Sequence, residues 1–257
     1  MAEPVLADPH HPPVDQALFV YGVVEATARL PDGLSGLDEA PLRTVVHGDL
    51  AAVVTSIAVD RPPGRRADLL GYSGTLDALA ERVTVIPVQF GSLLEDEEMV
   101  IEGLLEPRAP DLGALLDELR GRAQFTFQAR YVEPVVLSEV VATNPDIREL
   151  RRRTRDLPDE TAYGDRIRLG ELVAHAIDEK RAIDSDLLLE VILPFTVAHT
   201  IRPVSGLERL LEMSVLVENE HQHAFERALE TLAEGVHERL RLRLMGPMAP
   251  YDFVRDV

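Results

Sequence analysis

The chain has 257 residues, 46% of them hydrophobic, and its 45 acidic and 26 basic residues give a formal net charge of −19. Such an excess of negative charge repels phosphate backbones, so nucleic acid is not expected as a partner. The sequence contains no cysteine, which excludes disulfides, thiolate nucleophiles and cysteine-ligated metals and is typical of a reducing compartment.

The start of the chain has four prolines and no apolar periodicity, which predicts a flexible tail over residues 1–16. It lacks the basic and apolar regions of a signal peptide. The most apolar stretch, residues 187–198, is too short to cross a membrane and is interrupted by Glu190 and Pro194. We therefore expect a cytoplasmic protein without a membrane span.

The first half then shows strand and helix signals in turn. ALFVYGVVEA, from Ala17, is rich in β-branched and aromatic residues and predicts a buried strand. Strands over 42–46 and 50–57 are joined across His47-Gly48-Asp49, which predicts a tight hairpin. A helix over 67–82 follows. Its predicted apolar face consists of Leu69, Tyr72 or Leu76, Leu79 and Val83.

The next segment, TVIPVQF, predicts a strand interrupted by Pro87, and such a strand belongs at a sheet edge. In this interpretation Pro87 marks the edge, Phe90 fills the core and Gly91 permits the turn that follows.

Ser92, followed three residues later by Glu95, predicts a capping box at the start of a helix. The acidic residues 95–98 would then lie in the first helical turn, where the helix dipole favours negative charge. Pro107 is predicted to end this helix, and residues 111–122 form another.

The strand pattern restarts with AQFTFQARYVEPVVL, residues 123–137. Its apolar residues recur at a period of two on one predicted face: Phe125, Phe127, Ala129 and Tyr131. Asn144 before Pro145 predicts a helix cap and the first residue of a basic helix through Arg155.

A long helix is predicted over residues 165–193. Its expected apolar stripe consists of Leu169, Leu172 or Val173, Ala176, Ile183, Leu187 and Val191. Two strands, a helix preceded by the possible capping pair Asn219 and Gln222, and a closing strand complete the chain.

The second half thus reads strand, helices, strand, strand, helix, strand, which is the split-βαβ, ferredoxin-like order with a helical insertion after the first strand. The first half begins strand, loop, strand, strand, helix, strand. The sequence therefore predicts an α+β fold of two domains, each with ferredoxin-like character. We expect the N-terminal domain over 17–122 and the C-terminal domain, with a pinned terminal tail, over 123–257.

No strong catalytic signature is present, since the GxGxxG, Walker and G-x-S-x-G patterns are all absent. Glu171, His175 and Glu179 recur at every fourth residue of the long helix, but one helix offers too few converging ligands for a metal. His221 and His223, two residues apart, point to different sides of a helix. We expect no catalytic residue, no cofactor and no metal.

The terminal stretch LMGPMAPYDFV combines glycine, proline and aromatic residues close to the end of the chain. Gly246 and Pro247 are predicted to end the last strand, and Pro250 is predicted to keep the following segment extended. Tyr251 and Phe253 would then point to one side and anchor a strap across the domain surface.

Four segments together resemble the gas vesicle protein F/L family (GvpF and GvpL): FVYGVVEA, VVHGDLAAVV, VIPVQFGSLLEDEEMV and LMGPMAPYDFV. VIPVQFG is similar to the family pattern V-x-P-x-R-F-G, with Gln89 where arginine is commoner. The terminus is similar to G-P-x-P-P-Y-x-F, with Ala249 at the first of the two later prolines. The resemblance covers residues 17–254.

This resemblance implies a two-domain protein in which ferredoxin-like topology recurs. It also implies a non-enzymatic role in nucleating or assembling the gas vesicle shell, with the hydrophobic major shell protein and other accessory proteins as partners. An alternative remains open: a small-molecule-binding enzyme or ligand-sensing module that uses a pocket between the domains.

Overall fold

The computed structural model describes residues 16–60 and 62–254, and the predicted tail lies outside them except for Gln16. No helix in these ranges combines the length and the apolar character needed to cross a membrane. In chain order the strands and α-helices are β1 (Gln16–Glu25), β2 (Arg43–His47), β3 (Leu50–Ala58), α1 (Arg66–Ala80), β4 (Ile86–Pro87), β5 (Leu93–Leu94), α2 (Glu97–Val100), α3 (Ala109–Leu119), β6 (Arg122–Tyr131), α4 (Glu133–Thr143), α5 (Pro145–Thr154), α6 (Asp159–Ile192), β7 (Thr196–Ile201), β8 (Arg209–Glu218), α7 (Gln222–Val236) and β9 (Leu240–Met248).

The fold is α+β with two antiparallel sheets, and the chain forms two compact units. The first unit comprises the chain up to Gln124 together with the residues from Gly246 onward, and the second is Phe125–Met245. The expected division put the end of the chain with the second domain. In the structure the end of the chain belongs to the first unit, because Ala249 is fully buried in the core of that unit.

In the first unit the sheet has the order β2-β3-β1-β4, and β5 also pairs with β1. This is the strand order of the predicted split-βαβ arrangement, with a loop in place of its first helix. The hairpin pairs His47 with Leu50, and Gly48 between them has φ +58°, which glycine adopts readily. Pro87 lies in the edge strand β4, as predicted, where its missing N–H breaks no central ladder.

Helix α1 covers this sheet with a face that differs from the prediction at one position. Tyr72, Leu76 and Leu79 are buried, but Leu69 is 48% exposed. Asp68 takes the buried position at the start of the helix, where its carboxylate accepts hydrogen bonds from the Gly64 and Arg65 N–H groups. In the first turn of α1, the side chain that faces the core is therefore the capping carboxylate of Asp68 and not an apolar residue.

The predicted cap at Ser92 is wrong. Its hydroxyl donates to the Gln89 carbonyl, and β5 intervenes before the helix begins. Asp96 is the actual cap, because its carboxylate accepts from the Met99 N–H at 2.8 Å. Pro107 does not end the helical region either; it lies in a 3-10 turn that leads directly into α3.

In the second unit the sheet order is β7-β8-β6-β9, and α4, α5 and α6 are inserted between β6 and β7, as predicted. Asn144 caps α5 by accepting from the Asp146 and Ile147 N–H groups. The strand predicted past Tyr131 is wrong: the chain turns into α4, with Pro134 in its first turn, a position that tolerates proline.

The apolar stripe of α6 is displaced from its predicted position. Ile183 and Leu187 are 63% and 55% exposed, whereas Ile177, Leu188 and Ile192 are buried. Asp184 lies on the same buried face, so a carboxylate occupies a position where an apolar residue was expected. Ile183, one position before Asp184, therefore faces solvent.

Asp184 is held by partners from both ends of the second unit. The Tyr131 hydroxyl donates to it at 2.7 Å, and the Arg239 guanidinium donates to the same oxygen. Arg239 also bonds Glu139 at 2.9 Å, and Lys180 bonds that carboxylate at 2.8 Å. Burial alone would raise the pKa of Glu139, but these two cations outweigh it and hold the pKa below its usual value.

Replacing Arg239 with methionine should lower the free energy of unfolding by about 2–3 kcal/mol, because the buried Asp184 carboxylate loses its cation. Urea unfolding followed by circular dichroism measures the change. Arg243→Met, at an exposed position of β9, is the matched control and should change stability by less than about 0.5 kcal/mol. Equal losses in the two variants would contradict a stabilising role for the buried charge network.

Candidate functional site: an aromatic cluster and the C-terminal clasp

Tyr72, in the middle of α1, is surrounded by aromatic rings. Its ring centroid lies 6.0 Å from that of Phe19 and 6.1 Å from that of Tyr21, both on β1. Phe90 and Tyr251 approach it to 5.3 Å and 6.5 Å. Phe90 and Tyr251 belong to the two segments singled out from the sequence, so α1 brings these distant segments together.

The segment from Pro87 to Gly91 is fixed by main-chain bonds as well as by the ring of Phe90. Pro87 lies opposite Gly22 of β1, where a Cβ would be only 2.6 Å from the Ile86 carbonyl oxygen, so a side chain does not fit. The Tyr72 hydroxyl donates to the Val88 carbonyl, and burial raises the pKa of Tyr72 to about 12. The raised pKa keeps the hydroxyl protonated, and so able to donate, in mildly alkaline solution as well as at neutral pH.

Phe90 is half-buried and also contacts the ring of Phe19, with centroids 5.9 Å apart. Gly91 follows with φ +93°, a backbone conformation that favours glycine. Together Phe90 and Gly91 turn the chain from the edge of the sheet toward β5.

The end of the chain lies against the same helix. β9 continues through Gly246 and Pro247 to Met248, so the prediction that these two residues end the strand is wrong. Pro247 is accommodated because β9 is an edge strand, where its missing N–H breaks no central ladder. Gly246 before it has φ +132°, a backbone conformation that favours glycine. Ala249 is then fully buried.

The residues after Pro250 form a 3-10 turn, Tyr251–Phe253, and not the predicted extended strap. With three residues per turn, Tyr251 and Phe253 point in different directions. Tyr251 packs on the core of the first unit and lies with its hydroxyl 3.4 Å from the Ser73 carbonyl, whereas Phe253 is half-buried.

Two polar side chains complete this arrangement, which we call the clasp and define as residues 249–253 with their partners Asp77 and Gln124. Asp77 accepts from the Ala249 N–H at 3.0 Å. Gln124 donates to the Asp252 carboxylate at 2.7 Å and accepts from the Asp252 N–H at 2.9 Å. No sequence pattern marks Asp77 or Gln124, since each acquires its role through a partner more than a hundred residues away.

Burial raises the pKa of Asp77 above its usual value, although its bonds from Ala249 and Tyr251 act in the opposite direction. Burial also raises the pKa of Tyr251, and the neighbouring Asp77 adds to that effect. The clasp therefore places a carboxyl group where its ionised form is disfavoured.

The polar residues weighed as ligands lie elsewhere and are open to solvent. The side chains of His175 and Glu179 are 74% and 68% exposed, and the His175 Nε2 atom lies 3.3 Å from the Glu179 Oε1 atom. The side chains of His221 and His223 are 53% and 94% exposed. Among the described residues, the candidate metal ligands that come together are Glu218, Glu220 and His221, a surface group at the start of α7.

Comparison with known proteins assigns the chain to a family. The profile of "Gas vesicle synthesis protein GvpL/GvpF" matches residues 17–255. This chain is a member of the GvpL/GvpF family. It is 31% identical to gas vesicle protein F of Streptomyces sp. (strain CB03234), across 92% of this chain and 98% of that relative.

Two crystal structures of family members have the same fold. GvpF from Anabaena sp. PCC7120 matches with a TM-score of 0.82 at 19% identity, over 94% of this chain and 99% of that one. GvpF from Microcystis aeruginosa matches with a TM-score of 0.76 at 20% identity, over 93% and 99%. Membership of the family gives the chain a gas-vesicle-related function, in a family of structural and accessory proteins that is not a known enzyme class.

Replacing Tyr251 with alanine should lower the free energy of unfolding by about 2 kcal/mol, because the half-buried ring and its contacts with α1 are lost. Chemical unfolding followed by circular dichroism provides the measurement. The matched control is Tyr163→Ala, which removes a ring that is 69% exposed on α6 and should change stability little. An unchanged midpoint for Tyr251→Ala would show that the clasp does not stabilise the fold.

Asp77→Asn should become more stable relative to wild type as the pH rises from about 4 toward neutral, because burial raises the pKa of the folded-state carboxyl. A carboxyl whose folded-state pKa is raised contributes stability below its ordinary pKa of about 3.9 and loses it as the pH rises through the raised value. Asparagine keeps the acceptor oxygen but never ionises. Melting temperatures of both proteins across this range test the prediction, and a difference that is constant with pH would contradict it.

Proposed function

We propose that this protein is a cytoplasmic accessory or minor structural protein that helps nucleate or assemble the gas vesicle shell. It does so by binding the hydrophobic major shell protein and other accessory proteins. The observation that carries the proposal is the family match, which extends over both compact units.

Exposed apolar side chains on α6 support a role in binding an apolar partner. Tyr163 and Ile167 are 69% and 48% exposed, and Ile183 and Leu187 are 63% and 55% exposed. Side chains four residues apart lie on the same face of a helix, so each pair forms a continuous apolar surface. The net charge of −19 would keep a complex with an aggregation-prone subunit dispersed, because like charges repel.

The clasp supports a structural role for the terminal motif. Residues of the GPMAPYDF motif complete the core of the first unit, so deleting residues 245–257 would disturb folding before it tested binding. Pro87, Phe90, Gly91, Gly246, Pro247, Pro250, Tyr251 and Phe253 are therefore proposed as structural residues of the fold.

The decisive experiment uses the full chain. Tagged protein co-expressed with the major shell protein of the same organism should retain it on an affinity column, whereas an unrelated protein of similar negative charge should not. Deleting the gene should abolish or deform the vesicles, and a wild-type copy should restore them. Failure to retain the shell protein, together with normal vesicles in the deletion strain, would overturn the proposal.

A further inference from the structure

Strand β7 forms one edge of the second sheet, and no strand in the described part of the chain pairs with its outer side. Natural proteins block such edges with prolines, charged residues or very short strands, because free N–H and C=O groups recruit other strands. The sequence of β7, TVAHTI, contains neither proline nor lysine, arginine, aspartate or glutamate.

The other sheet edges carry the protection that β7 lacks. At the edge of the first sheet, Arg43 of β2 is ion-paired with Glu97. On the opposite side, β4 is two residues long and contains Pro87. β9, at the far edge of the second sheet, contains two arginines and a proline, Arg241, Arg243 and Pro247. β7 is therefore the described edge strand that has no charge, proline or very short length of its own, and the first charge beside it is Arg202, directly after the strand, which is ion-paired with Glu212 on β8.

The register of β7 on β8 shows which backbone groups face outward. Thr200 pairs with Ser214 and Ile201 with Met213, and the Arg202 N–H donates to the Glu212 carbonyl at 2.9 Å. Hydrogen-bonded and non-hydrogen-bonded pairs alternate in an antiparallel ladder. Thr200 is thus bonded to β8, while the N–H and C=O groups of His199 and Ile201 point away from it.

Two apolar side chains on this edge, Val197 and Ile201, are uncovered, and the exposed side chain of His199 lies between them. Ile201 is 46% exposed, although Met213 directly opposite it on β8 is fully buried. Val197 is 44% exposed. The elements that bury the side chains of β8 therefore do not extend over β7. An added strand with apolar side chains at alternate positions would enlarge the buried surface.

The geometry points to β7 as a docking edge, at which an extended, uncharged, apolar strand of the shell protein adds to the second sheet. This inference rests on the proposed function, which supplies the shell protein as the source of the strand. A second copy of this chain is disfavoured as the occupant, because two chains that each carry a net charge of −19 repel one another. In such strand addition, main-chain hydrogen bonds supply affinity and alternate side chains supply selectivity.

Two variants of the full chain test the edge by different means. His199→Pro removes an outward N–H without removing a bond to β8, and His199→Ala is its control because it keeps that N–H. Ile201→Lys places a charge on the edge, and Leu70→Lys, at an apolar position 60% exposed on α1, makes the same change of charge away from it.

The measurement is the affinity of each purified variant for the co-expressed major shell protein, with folding checked by circular dichroism. His199→Pro and Ile201→Lys should each bind about tenfold more weakly, and the two controls should bind like wild type. Hydrogen exchange at the amides of His199 and Ile201 should slow when the shell protein binds. If His199→Pro fails to fold, Ile201→Lys and hydrogen exchange still decide the question.

The possible failures are distinguishable. If wild type binds the shell protein and both edge variants bind equally well, the docking edge is wrong but the proposed function stands. If the wild-type protein forms a dimer in the absence of the shell protein, and Ile201→Lys dissociates that dimer, a second copy occupies the edge and the inference is overturned. If wild type does not bind the shell protein at all, the proposed function fails and the inference fails with it.

Discussion

The hydroxyl and ring of Tyr72 connect the parts of the first unit that are farthest apart in sequence. The hydroxyl bonds the Val88 carbonyl, which holds the proline-containing edge segment against α1. The ring contacts Phe90 from that segment and Tyr251 from the end of the chain. Because a buried aromatic ring offers a large contact area with few rotatable bonds, one residue can order several segments. The sheet, the edge turn and the clasp all depend on this contact.

The two units use the same strand order but are stabilised in different ways. Helix α1 of the first unit packs on its sheet through aromatic and aliphatic side chains. The second unit places the carboxylate of Asp184 in the contact between α6 and the sheet and neutralises it with Arg239. A buried ion pair of this kind is often no more stable than apolar packing, but it restricts the geometries that satisfy it. We infer that it fixes how a helix of 34 residues lies on the sheet.

Local signals allowed much of the fold to be predicted. The alternation through Phe125 and Phe127, the cap at Asn144 and the hairpin at Gly48 depend on residues close together in sequence, and the structure confirms them. The wrong predictions concern residues whose burial depends on partners far away in the sequence. The exposure of Ile183 follows from the burial of Asp184, which in turn depends on Arg239, 55 positions later.

The motif segments of the candidate site could be named from sequence, but their meeting at Tyr72 could not. Contact between Tyr251 and α1 includes Ser73, 178 positions earlier, and no local pattern encodes such a pairing. The same applies to Gln124 and Asp252, whose paired hydrogen bonds leave no trace in composition or periodicity.

The burial of Ala249 in the first unit has a consequence for synthesis on the ribosome. Chains grow from the N-terminus, and domains generally fold as they emerge. Here the first unit is made early, but the residues that complete its core follow only after residues 125–245 have been translated. A chain that stops before Ala249 leaves α1 uncovered at this position, so the first unit is complete only after the second unit has been translated.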